Sequence, residues 1–240
     1  MSNLVTLEPK GKVVFVGDTH GDIDSSEHVI GNYLRPGHKI VFLGDYVDRG
    51  YASLRNIQYL MKKQQENSQD VFLLAGNHEG YMTRGFDGAS FWESLNESDK
   101  NYYAYVFKSF PLAVSVGSVI ATHGALPDIK DMTKFDEIQQ GDDHWKEITW
   151  GDFTNLRQDM REGLRHEFSQ SYFKRVMGQL GKNVLIRSHQ SQALLSMYGG
   201  RCVTVYTTNY FGRNQRSIAI ADFDLRPEIK TIDDLIIEEF

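Results

Sequence analysis

The chain has 240 residues, 40% of them apolar, and carries 26 Lys and Arg against 32 Asp and Glu, a formal charge of −6. That apolar share is enough for a sizeable core, while the negative balance offers no general attraction for nucleic acid or an anionic membrane surface. The lone cysteine, Cys202, excludes an internal disulfide and fits a reducing compartment.

Along the chain, apolar runs at Val13–Val16, Ile40–Leu43 and Val71–Ala75 predict three strands. Between them lie helical segments, one from Ser25 to Tyr33, broken by Pro36-Gly37, and one from Ser53 to Glu66. In the second, Leu54, Ile57, Leu60 and Met61 recur at helical spacing behind Ser53, a candidate N-cap. From Ala89 to Phe110 the pattern is helical and aromatic. Lys and Arg are too sparse there for a base-stacking platform, so Phe91, Trp92, Leu95, Tyr102, Tyr103, Val106, Phe107 and Phe110 read as core-packing positions.

Pro111 ends that stretch, and Leu112–Val116 and Val119–Thr122 flank Gly117-Ser118 as a hairpin that delivers His123. Pro127 to Glu167 is polar and acidic and reads as surface loops and short helices. A helix near Gln170–Leu180 precedes the strand Val184–Arg187, which delivers His189, and further strands fit Cys202–Tyr206 and Ser217–Ala221. For the last segment, Ile229–Phe240, a tail and an edge strand both remain open. No linker, repeat, secretory signal or long apolar span interrupts this pattern, so the expectation is one soluble, cytoplasmic domain over 1–240, with a monomer as the working state.

Chemistry concentrates where strands end. Gly17-Asp18-Thr19-His20-Gly21-Asp22, Gly44-Asp45-Tyr46-Val47-Asp48-Arg49-Gly50 and Gly76-Asn77-His78-Glu79 each follow an apolar run, and His123 and His189 follow two more. An α/β sheet gathers its ligands at such positions. Hard oxygens and imidazoles without a thiolate are the donor set of a divalent-metal hydrolase. Asp18 and His20 stand two apart on one loop and can face one ion. Asp45 can bridge to a second, which Asn77, His123 and His189 complete. Single Asp or His residues are more often caps or solvated side chains, and His28, His38, His144 and His166 are assigned that way. Three ordered strings followed by two flanked histidines are not.

At these residues the chain resembles the phosphoprotein phosphatase superfamily of metal-dependent serine/threonine phosphatases. The three strings match its signature motifs, as do His123-Gly124-Ala125-Leu126 and Arg187-Ser188-His189-Gln190, while Asn209-Tyr210-Phe211-Gly212 is similar to its late Asn-Tyr loop. The resemblance spans about residues 12 to 222. It implies an α/β fold, a central β-sandwich of mixed sheets flanked by helices in the four-layer metallophosphoesterase arrangement. It also implies two divalent ions, with manganese expected and iron with zinc as the alternative. Asp18, His20 and Asp45 would hold the first ion, and Asp45, Asn77, His123 and His189 the second.

The implied reaction is in-line attack of a metal-bridging hydroxide on a phosphoserine or phosphothreonine of a protein substrate. His78 would be the proton donor, oriented by Asp48. Arg49, Asn77, Arg165 and Tyr210 would bind phosphate, with Arg161 competing with Arg165, while Arg187 has a site-lining and a structural reading and Glu79 orients its loop. A diadenosine tetraphosphatase or other nucleotide hydrolase on the same metal core is the alternative. Ala125 stands where the family has Gly, and Thr207-Thr208 and Phe211 depart from its late loop.

Overall fold

The computed structural model describes residues 2–163, 165–210 and 216–240. Two mixed sheets carry the fold. The five-stranded sheet runs in the order β13-β12-β2-β3-β4, built from β2 (Lys12–Val16), β3 (His38–Phe42), β4 (Val71–Leu73), β12 (Ser217–Asp222) and β13 (Ile236–Glu239). The six-stranded sheet runs β1-β5-β6-β9-β11-β10, from β1 (Leu4–Leu7), β5 (Ala113–Val116), β6 (Val119–Thr122), β9 (Val184–Arg187), β10 (Ser196–Met197) and β11 (Cys202–Thr204).

Strand alternation sets the layers. On β2, Val13 and Phe15 turn inward and share a buried cluster with Val41, Leu43, Val114, Val116, Val119, Ile186 and Val203. Val14 and Val16 turn the other way and join the cluster that contains Val29 and Ile30 of α1 (Ile23–Tyr33) and Ile57 and Leu60 of α2 (Ser53–Glu66). The opposite sheet does the same: Ile120, Leu185 and Cys202 face the cluster that holds Phe173, Val176 and Met177 of α6 (Gln170–Gln179). Two sheets face to face with helices outside is the sandwich the motifs imply.

β2, β3 and β4 are mutually parallel, as are β6 and β9, so five motif-bearing ends open on one side of the sandwich. The aromatic segment folds as α3 (Ser90–Ser94) and α4 (Glu97–Phe107), with Phe91, Trp92, Tyr103, Phe107 and Phe110 buried and Leu95 and Val106 partly so, whereas Tyr102, expected to pack with them, faces outward and is exposed. The hairpin forms with antiparallel β5 and β6, turning through Gly117 at φ +52°. The terminal segment is an edge strand, β13 pairing antiparallel with β12.

Two further expectations need correction, and one strand is new. Ala52, not Ser53, is the N-cap of α2, and no side chain caps that end. Residues 127–167 are not merely surface: Phe135, Phe153, and Trp145, Ile148 and Trp150 of α5 (Asp143–Trp150) are buried, and so are the polar Glu147 and Thr149 between them. The N-terminal β1 was not foreseen; its residues alternate weakly, and parallel pairing with β5 is what fixes it.

Phe15 is fully buried between the sheets. Phe15→Ala is expected to cost about 3–5 kcal/mol and to lower the melting temperature by roughly 10 °C, measured by circular dichroism.

Candidate metal centre

The motif loops are forced into shape locally. His20, Asp45, Asp48, Arg49 and His189 all adopt left-handed backbone, with φ of 43°, 56°, 66°, 68° and 66°. For residues with a Cβ this costs roughly 1–3 kcal/mol each, and surrounding contacts must impose it. Glu79 is one such contact: its carboxylate accepts from the amides of Asp45 (2.8 Å), Gly76 (2.9 Å) and Tyr46 (2.9 Å). Burial first, then Asp45, pushes Glu79 up to about 7, and two of those amides oppose the rise. Gly76 cannot carry a side chain, since a Cβ there would lie 2.3 Å from Asp45 Oδ1.

Donor atoms converge without any lysine or arginine among them. Asp45 Oδ2 lies 3.4 Å from His123 Nε2 and 3.7 Å from His20 Nε2. His123 Nε2 is 3.1 Å from both Asn77 Oδ1 and His189 Nδ1. Asp18 Oδ2 lies 3.7 Å from His20 Nε2 and is buried without a hydrogen-bond partner of standard geometry among the described residues. Donors around one ion at ligand distances near 2.0–2.2 Å sit roughly 3.0–3.5 Å apart, so the second group already has the spacing of a cage.

The ring tautomers agree with this reading. Nδ1 of His20 donates to the Val47 carbonyl and Nδ1 of His123 to the Leu43 carbonyl, each at 3.0 Å, which leaves each Nε2 lone pair facing the cage. The buried Asp18 oxygen, aimed at the cage, and the oxygen–imidazole donor set fit divalent cations.

The titrations follow from crowding. Burial, then His78, lowers His20; burial, then Arg165, holds His189 well below the ordinary range. At Asp45 burial acts upward, but His123 and His78 hold the carboxyl well below its usual value. At His123 burial acts downward, yet Asp45 and Asp18 push it up to about 9.

Beside the cage, His78 Nδ1 donates to Asp48 Oδ2 at 2.6 Å, while the His78 amide donates to Asp45 Oδ1 at 2.9 Å. His78 Nε2 is 3.9 Å from Asp45 Oδ2, close enough that His20, Asp45 and His78 form one metal-sized group, as do Asp45, His123 and His189. With its Nδ1 committed to a carboxylate, His78 has the geometry of a proton donor. Burial pulls it down, and Asp45 and Asp48 together more than offset that, raising it. Helix α3 anchors the pair: the Phe91 amide donates to Asp48 Oδ1 (2.7 Å) and Trp92 Nε1 to the His78 carbonyl (2.8 Å).

A cavity of about 410 Å³ opens over these groups, lined in part by His20, Asp45, Arg49, Asn77, His78, Arg165 and His189. Asp18, Asp48 and His123 lie beneath, fully buried. Arg49 forms no ion pair among the described residues, and its guanidinium packs so closely on Gly88 that a Cβ there would lie 2.6 Å from Nη1.

Arg165 lines the cavity, whereas Arg161 turns away to Glu147 at 2.7 Å and lies over the Phe168 and Tyr172 rings. Arg187 is wholly buried under Phe153 and bonded to Gln190, so its position is structural. Tyr210 departs from expectation: it is 52% exposed and does not line the cavity, whereas Tyr206 does, drawn in by the bridge between Asp18 and Tyr206. Phe211 and Gly212 lie outside the described residues. His28, His38, His144 and His166 all lie away from the cavity. Sequence reasoning missed Phe86 and Trp150, which line the cavity; only their position in an aromatic cluster would have marked them.

A family model described as calcineurin-like phosphoesterase matches residues 11–225. Human serine/threonine-protein phosphatase 5 is 29% identical over 254 residues, 95% of this chain and 50% of that protein. A probable serine/threonine-protein phosphatase of Encephalitozoon cuniculi is 27% identical over 225 residues, 85% of this chain and 48% of that protein. The chain spans about half the length of these curated relatives. Among solved structures, a protein serine/threonine phosphatase from Saccharomyces cerevisiae, with similarity to human phosphatase PP5, superimposes with a TM-score of 0.82 at 24% identity, covering 100% of this chain and 84% of that one.

Because Asp45 and Asp18 push His123 up to about 9 in the metal-free chain, and its Nε2 must be unprotonated to ligate, manganese affinity is expected to rise from pH 6 to pH 9 with proton release on binding. Calorimetry in buffers of different ionisation enthalpy measures both; a pH-independent affinity contradicts the ligand role.

Proposed function

The chain belongs to the calcineurin-like phosphoesterase family, and from that membership we propose that it is a metal-dependent phosphomonoester hydrolase that dephosphorylates phosphoserine and phosphothreonine in proteins. The observation that carries this reading is the shared cavity: a two-group metal cage, a His78–Asp48 dyad and two arginines all border one volume. Manganese is the proposed metal. When bound, the ion pair supplies positive charge to the phosphate oxygens and a water acid enough to attack phosphorus.

The chain's own groups do the remaining work. Arg49 forks onto non-bridging oxygens, Arg165 adds the Nη1 that its fork to Asp152 leaves over, and Asn77 adds a neutral donor. His78 gives its Nε2 proton to the departing serine or threonine alkoxide, a poor leaving group, while Asp48 holds Nδ1 and stabilises the imidazolium. Phe86 packs on His78 with ring centroids 4.5 Å apart, and Trp150 on His189 at 6.2 Å, which limits water around the reacting groups. The lone, buried cysteine supports a reducing, cytoplasmic setting, and the arginines at the cavity support a phosphoprotein partner; no helix among the described residues is long and apolar enough to cross a membrane.

His78→Asn is expected to slow alkyl phosphate hydrolysis by roughly 10²–10⁴-fold while changing p-nitrophenyl phosphate turnover far less; equal losses on both remove His78 from the acid role. Because Asp48 helps raise His78, Asp48→Asn lowers it, so the alkaline limb of kcat shifts to lower pH. A panel of phosphopeptides and diadenosine tetraphosphate with added manganese separates protein from nucleotide substrates, and faster nucleotide turnover overturns the proposed substrate class.

A further inference from the structure

Asp152 stands in none of the sequence motifs, yet it touches two sides of the site. It opens β7 (Asp152–Phe153), is 7% exposed, and follows Gly151, where a Cβ would lie 2.4 Å from the Glu147 carbonyl oxygen. That tight turn leaves its backbone little choice of position. Its carboxylate receives a fork from Arg165, Nε to Oδ2 at 2.9 Å and Nη2 to Oδ1 at 3.0 Å. Oδ1 also lies 3.9 Å from His189 Nε2. That ring nitrogen is buried and has no hydrogen-bond partner among the described residues.

The other nitrogen of His189, Nδ1, faces His123 Nε2 at 3.1 Å, inside the cage. An imidazole that offers the Nδ1 lone pair carries its proton on Nε2, and a buried N–H requires an acceptor. Asp152 is the carboxylate on that side. At 3.9 Å the two atoms are within ion-pair range, and a small rotation of the imidazole would bring Nε2 to hydrogen-bond distance. The same carboxylate occupies Nε and Nη2 of Arg165, fixing the plane of the guanidinium and leaving Nη1 for an anion.

We infer that Asp152 is a positioning residue that joins the cation-facing His189 to the phosphate-facing Arg165 through one carboxylate. The inference rests on reading the cavity as a phosphoesterase centre. It assigns Asp152 no contact with substrate. Carboxylates behind metal-bound histidines typically govern metal affinity by about 10–100-fold, and here that influence extends to the phosphate site.

The test uses the intact chain, titrated calorimetrically with manganese alone and then, manganese-loaded, with inorganic phosphate. Asp152→Asn is expected to weaken manganese binding roughly 10–100-fold and phosphate binding as well. Arg165→Ala is expected to weaken phosphate binding without the roughly 10–100-fold loss of manganese affinity that Asp152→Asn brings. In a His189→Ala background, adding Asp152→Asn should bring no further loss of manganese affinity. Wild-type manganese affinity in Asp152→Asn overturns the inference. So does an undiminished loss in the His189→Ala background, which would mean the carboxylate acts through the fold. A wild-type chain that shows these binding differences but cleaves no phosphoester upholds the linkage and refutes the assigned reaction instead.

Discussion

The structure turns on a single oxygen. Asp45 Oδ2 sits 3.4 Å from His123 Nε2, 3.7 Å from His20 Nε2 and 3.9 Å from His78 Nε2, while the companion Oδ1 is tied to the His78 amide. Two carboxylates, Asp18 and Asp45, are thus withdrawn from water with no lysine or arginine paired to either among the described residues. Burying charge this way costs several kcal/mol per ion unless something positive enters. The oxygen–imidazole donor set fits the dinuclear metal centre of the calcineurin-like phosphoesterase family as that partner, and the rest of the fold serves to hold Asp45 in place.

That holding is expensive and distributed. The left-handed backbone at Asp45 is maintained by Glu79, whose carboxylate collects three amides from two motif loops. Asn56 of α2 joins those loops to the helical layer, donating to Thr19 Oγ1 and the Tyr46 carbonyl at 2.9 Å each and accepting from Ser26 at 2.6 Å. Backbone strain at His20, Asp48, Arg49 and His189 belongs to the same design: the donors are oriented before any ligand arrives, so little reorganisation accompanies the chemistry.

Much of this was legible because metal ligands sit directly after strands. Apolar runs announce the strands, and the Asp, Asn and His that follow fall at their ends without further information. The sandwich and its flanking helices were legible through the family resemblance those motifs carry. What could not be read comes from pairings distant in sequence. Tyr206 reaches the cavity through a bridge to Asp18, and Asp152 acquires meaning only when Arg165 and His189 fold against it. Arg165 and Arg161 look equivalent along the chain; Glu147, buried on α5, captures Arg161 and so separates them. The misjudged 127–167 segment has the same cause, since its apolar residues are spaced widely and their burial depends on surfaces contributed from elsewhere.

Crystals grown with manganese and recorded at its absorption edge test the central claim most directly. The account predicts two anomalous peaks roughly 3.5–4 Å apart, one against Asp18, His20 and Asp45 and the other against Asp45, Asn77, His123 and His189. A single peak, or two peaks that Asp45 does not bridge, would contradict it.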